Sequence, residues 1–115
     1  MEIQVRTDRH VRGDDSLIEF VASEVVKGLG PCVTRVMSAH VHLTADSVAR
    51  LGSPDLRCLL EVRPRGHAPL AVIHAASTKD AAVRGAAADM RGVLERMFQR
   101  IDARHAGART IRRPA

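Results

Sequence analysis

The spacing of apolar residues changes period in a fixed order along this 115-residue chain, and that order leaves few folds open. In "EIQVRT", Ile3, Val5 and Thr7 alternate with Glu2, Gln4 and Arg6, the period of two of a strand with one buried face. "RGDDSLIEFVASEVVKGLGP" takes up a helical period, with Leu17, Ile18, Val21, Val25 and Leu29 on one face. Asp14, Asp15 or Ser16 can cap its start, and Gly28, Gly30 and Pro31 end it. Alternation returns from Thr34 to Thr44, with Met37, Ala39, Val41 and Leu43 on one side and Val36, Ser38, His40 and His42 on the other. A loop marked by Gly52, Ser53, Pro54 and Asp55 separates this strand from "LRCLLEVRP", where Cys58, Leu60 and Val62 oppose Arg57, Leu59, Glu61 and Arg63. The tip "RPRGHAP" leads into "LAVIHAA", a fourth strand whose two faces are both apolar, which leaves its facing open. The last element is a helix from Thr78 or Lys79 to Arg104 or His105, about 26 residues and so about 39 Å long.

The order β-α-β-β-β-α predicts an α+β fold, a four-stranded, mostly antiparallel sheet with two helices on one face. The length suits one domain, placed at residues 1–105. The remainder, "AGARTIRRPA" (106–115), is basic, has little to bury and is expected to be a disordered tail. With two Phe and neither Trp nor Tyr, the core has to come from Val, Leu, Ile, Met and Ala, and aromatic stacking on nucleic-acid bases is nearly excluded.

The formal charge is +5, carried almost wholly by arginine, since Lys27 and Lys79 are the only lysines, and this favours polyanionic partners. No apolar run reaches the roughly 18–20 residues of a membrane span, and "MEIQVRTDRH" lacks a signal-peptide core, so a cytoplasmic protein without membrane contact is expected. Cys32 and Cys58, 26 positions apart, read as small buried residues. Catalysis finds little support. His40 and His42 share a strand face without a third metal ligand, and His74 with Asp80, or Cys58 with a histidine, is a pair that nothing in the sequence brings together. Phosphate-loop, dinucleotide and nucleophile-elbow motifs are absent, and no small-molecule substrate, metal or cofactor is implied.

At 100° per residue, Val83, Met90, Leu94, Met97 and Ile101 form the inward stripe of the last helix, with Ala86 and Ala87 at its margins. Arg96, Arg100 and Arg104 follow one another along one flank and Arg84 and Arg91 along the other. Ala81, Gly85, Ala88 and Gly92 fall between them, facing outward. Glycine costs about 1 kcal/mol relative to alanine within a helix, so a trough of small residues fenced by guanidinium groups suggests close approach of a phosphate backbone. On that geometry Gly85→Ala and Gly92→Ala would each stabilise the free protein. The alternative is a solvated helix laced with ion pairs such as Asp80 with Arg84 and Arg91 with Glu95. Arg63, Arg65 and His67 make a second basic cluster at the hairpin tip, and Arg6, Arg9, His10 and Arg12 a third near the N-terminus.

"IQVRTDRHVRG", "TRVMSAHVHLT", "DLRCLLEVRPRGHAPLAVIHAAST" and "DAAVRGAAADM", in this order from residue 2 to about residue 101, resemble the short, single-domain branch of the ribosome hibernation-promoting factor and ribosome-associated inhibitor family. That resemblance implies a layout like that of double-stranded-RNA-binding domains, and binding to rRNA of the small ribosomal subunit where tRNA and mRNA would otherwise sit. It further implies translation blocked by occupancy, without chemistry. The basic residues of that family's second helix carry over to Arg84, Arg91, Arg96, Arg100 and Arg104, joined as candidates by Lys79, Arg63 and Arg65. Gly85, Ala88 and Gly92 form the candidate close-approach surface. Two other functions stay open: a general binder of structured RNA, and a protein-interaction module that uses the Gly/Ala strip, with room for a weak homodimer.

Overall fold

A carboxylate cap and a glycine of positive φ bracket the first helix. In the computed structural model, which describes residues 1–8, 11–45 and 56–112 with side chains as far as residue 105, that helix is α1 (Asp15–Leu29). Asp14 Oδ1 accepts the Leu17 N–H at 2.9 Å, satisfying one of the donors a helix start leaves unpaired. Gly30, at φ 55°, ends α1 by donating its N–H to the carbonyls of Lys27 and Val26, a conformation that glycine adopts without a Cβ penalty. Gly28 stays inside the helix.

Around α1 the chain forms β1 (Glu2–Thr7), a short 3-10 turn (Gly30–Arg35), β2 (Val36–Ala45), β3 (Leu56–Pro64), β4 (Leu70–Ala76) and α2 (Lys79–Arg112). The expected order and class are both found. The strands form one sheet in the order β1-β2-β3-β4, antiparallel except where β1 runs parallel to β2. Parallel pairing needs a long crossover, which α1 provides. The loop expected at Gly52, Ser53, Pro54 and Asp55 lies outside the described residues, as do Arg9 and His10.

The two central strands bury the most. Val36, Ala39, Val41 and Leu43 of β2 and Cys58, Leu60 and Val62 of β3 are sealed beneath Val21, Val25 and Leu29 of α1 and Ala82, Val83, Ala86, Met90 and Leu94 of α2. Ile3 and Val5 of β1 and Leu70 and Val72 of β4 are half-buried at the edges. The undecided fourth strand thus turns Leu70, Val72, His74 and Ala76 toward the helices and leaves Ile73 exposed.

Three details differ from the sequence pattern. Met37 is exposed and Val36 buried, because the β2–β3 register steps from Val36 opposite Pro64 to Ser38 opposite Arg63, leaving Met37 as the extra residue of a bulge. Ile18, placed on the inward face of α1, is exposed, and Phe98, left off the inward stripe of α2, is buried; Met97 and Ile101 are only partly buried. The backbone of α2 is helical to Arg112, past the end expected at Arg104 or His105, since each residue added to a formed helix gains a hydrogen bond without a new nucleation cost. Residues 113–115 of the tail lie outside the description.

Where the helices cross, a Cβ on Gly28 would collide with Ala87 Cβ. Gly28 is therefore the residue that lets α1 and α2 approach. Gly28→Ala should lower stability by about 1–3 kcal/mol despite its better helix propensity, and adding Ala87→Gly should recover most of the loss. Chemical denaturation of the single and double variants checks this.

Candidate nucleic-acid interface

The arginines of α2 divide by what holds them. Arg84 Nε donates to Glu24 Oε2 of α1 at 3.2 Å, where Lys27 also lies 3.7 Å from the same carboxylate, and its guanidinium stands 5.9 Å above the Phe20 ring. Its partner is on the neighbouring helix, not Asp80 as the spacing within α2 suggested. Arg91 pairs with Glu95 one turn on, as expected, and folds back so that a Cβ on Gly30 would come within 2.8 Å of its Nη1. Both flanking arginines are thus tied to α1 or to their own helix.

Arg35, which the sequence did not single out, organises the other end. Its guanidinium lies 3.9 Å over the Phe98 ring and donates to Asp102, Nη1 to Oδ2 at 3.3 Å and Nη2 to Oδ1 at 3.5 Å. Its carbonyl accepts the Arg65 N–H at 3.0 Å. The 3-10 turn, the tip of the β3–β4 hairpin and the second half of α2 therefore meet at one residue. A separation of 67 positions leaves no sequence signal for such a contact.

Arg96, Arg100 and Arg104 make no hydrogen bond or ion pair among the described residues. Arg100 and Arg104 join Met97, Ile101 and the hairpin's His67 around a recess of about 280 Å³. Arg96 and Arg100, with Gln99 and Ala103, border a second open hollow. The hairpin tip, turned by Gly66 at φ 74°, is thus brought to the helix, with Arg65 exposed beside it. Other candidates are not brought in. Arg63 projects from the open face of the sheet opposite Ser38, and Lys79 opens α2 at its far end.

The strip of small residues is shorter than its spacing implied. Gly85 lies under the His74 ring, which a Cβ there would strike, and His74 Nδ1 is 3.0 Å from Asp89 Oδ2. Ala88 is exposed, and a Cβ on Gly92 would meet only Arg96 Nη1, at 3.4 Å. The open strip is Ala88 and Gly92, with Arg96 on one side and Arg91 turned away from it.

Cys58 stands opposite His74 in the β3–β4 register, so these two are in fact neighbours. Yet His74 spends Nδ1 on Asp89 and lays its Nε2 edge against Gly85, and burial pushes the Cys58 thiol up to about 11. The thiol is protonated at neutral pH and has no hydrogen-bonded base, which makes it a packing residue. Cys32 is likewise free and buried, its pKa raised by burial and then by Glu95. His40 and His42 lie on the open face of the sheet with Gln4, Arg6, Leu59 and Glu61. No group of three or more His, Cys, Asp or Glu among the described residues could hold a metal ion, and no helix among them is long and apolar enough to cross a membrane.

The two glycines should respond in opposite directions. Gly92→Ala is expected to raise stability by about 0.5–1 kcal/mol. Gly85→Ala should lower it, because the whole imidazole must move and release Asp89, but in a His74→Ala background the same substitution should become stabilising. Thermal melts of the four variants test both the roof over Gly85 and the open space at Gly92.

No protein-family model and no curated protein matches the chain. Solved structures do. A ribosomal subunit interface protein from Coxiella burnetii aligns with a TM-score of 0.71 at 13% identity, over 86% of this chain and 99% of that one. The N-terminal domain of Protein Y from Thermus thermophilus aligns with a TM-score of 0.65 at 16% identity, over 84% and 99%. At these identities the shared property is the fold, and it is the fold that the sequence resemblance implied.

Proposed function

We propose that this protein is a noncatalytic cytoplasmic factor of the ribosome hibernation and inhibitor family, one that binds rRNA of the small ribosomal subunit and blocks translation by occupying the tRNA and mRNA channel. The observation that carries the proposal is the likeness in fold to a ribosomal subunit interface protein over 99% of that chain. The distribution of charge supports it. Of the α2 arginines whose side chains are described, those at 96, 100 and 104 keep their donor sets available, and the hairpin tip adds Arg65 beside them. An arginine without a carboxylate partner offers a phosphate two parallel donors at no cost of breaking an existing pair. Arg84 and Arg91, held by carboxylates, and Lys79 and Arg63, placed away from the recess, contribute to the positive field, while direct contact falls to Arg65, Arg96, Arg100 and Arg104. The exposed Ala88 and the half-buried Gly92, whose Cβ position meets only Arg96, leave room beside Arg96 for a backbone to come near.

Ribosome pelleting across a salt series tests this. Wild-type binding should fall with salt, and Arg96→Ala with Arg100→Ala should reduce the slope of log K against log salt by about 1.4–1.8, the contribution of two phosphates at roughly 0.7–0.9 each. Arg84→Ala with Arg91→Ala should change it by less than half as much. Salt-insensitive association would favour a protein partner instead, and equal binding to any structured RNA would favour a general RNA-binding domain.

A further inference from the structure

The recess between the hairpin tip and the second half of α2 is built differently from the rest of the basic surface. Met97 and Ile101 lie one turn apart and give it a partly buried apolar floor. Arg100 and Arg104, also one turn apart, stand along the same stretch of helix as a cationic wall. His67 closes the side opposite the helix with the one planar ring there. Neither arginine has a carboxylate partner among the described residues, whereas the arginines at 35, 84 and 91 each have one.

A smooth phosphate backbone needs only the arginines. An apolar floor beside a planar ring is wasted on it, but suits the face of a heterocyclic base, which stacks on imidazole or guanidinium planes. The size points the same way: about 280 Å³ lies at the lower limit of small-ligand sites, roughly 300–1,000 Å³, room for one nucleotide and not for the groove of a duplex. The hairpin tip is held in place by the Arg65 N–H bond to the Arg35 carbonyl, and the helix by Arg35 on Phe98 and Asp102, so the two walls face each other before any ligand arrives.

We propose that this recess takes one unpaired nucleotide of an RNA strand, its base on Met97, Ile101 and His67 and its phosphate between Arg100 and Arg104. This deepens the ribosome-binding proposal and rests on it for the source of the RNA, while its test uses the protein alone. The chain has four methionines, and only Met97 lines the recess; Met37 is exposed on the far face of the sheet and Met90 is fully buried, so carbon-labelled methionine methyls report on the site with internal controls. A short single-stranded oligouridylate should shift the Met97 signal and leave Met37 and Met90 in place. A duplex of equal charge should leave Met97 in place as well. His67→Ala should weaken oligonucleotide binding about tenfold without changing its salt slope, since no phosphate contact is lost.

A Met97 signal that ignores the single strand, or one that responds equally to the duplex, would overturn the site. Ribosome pelleting of the same samples separates the two proposals. Wild-type protein that pellets with ribosomes while Met97 ignores the oligonucleotide keeps the ribosome reading and removes the recess. Protein that binds the oligonucleotide at Met97 yet fails to pellet does the reverse.

Discussion

One guanidinium group fixes the hairpin end of this molecule. The buried stripe of α2 runs out at Phe98, and beyond it the helix would be tethered by little more than its own hydrogen bonds. Arg35 supplies a further hold, lying over the Phe98 ring and facing Asp102 while its carbonyl fastens the hairpin. The energies involved are modest. A half-exposed ion pair contributes about 0–1 kcal/mol, and a cation over a phenyl face about 0.5–2 kcal/mol. What the contact contributes is alignment more than stability, because it joins the 3-10 turn, the hairpin turn and the second half of α2 at one residue.

The second governing feature is the way negative charge is spent. Glu24, Glu95 and Asp102 each engage an arginine, so the formal excess of +5 is not spread evenly over the surface. These three acids lie toward α1 and the 3-10 turn, while Arg96, Arg100 and Arg104, without partners among the described residues, follow one another along α2 toward the hairpin. A chain with mixed charges along its last helix can in this way still offer a polyanion one continuous cationic edge.

The elements themselves were legible in the sequence because each is a local pattern. Asp14 as a cap, Gly30 as a stop and the alternation of β3 can be read without knowing what packs against them. The candidate site was legible only in part, for a reason visible in Gly85, Arg84 and Arg35. An angular projection says where a side chain points, but not what arrives from another element to meet it. His74 comes from β4 to cover Gly85, Glu24 comes from α1 to take Arg84, and Phe98 receives Arg35 from the far side of the sheet's connections. The recess was hidden for the same reason, since one of its five lining residues, His67, belongs to a different part of the chain from the other four.

The bulge at Met37 bears on how such a chain can change in length. With Met37 set aside, Val36, Ser38 and Ala39 alternate in burial as a regular strand would, and Val36 and Ser38 already stand opposite the consecutive residues Pro64 and Arg63. Removing that one residue would leave every other side chain of β2 on the face it now occupies, whereas a deletion in the regularly paired stretch from His40 to Leu43 would turn neighbouring side chains to the opposite face. The sheet thus holds one position where evolution can add or drop a residue without rewriting the core, at the end of β2 that adjoins the Arg35 clamp.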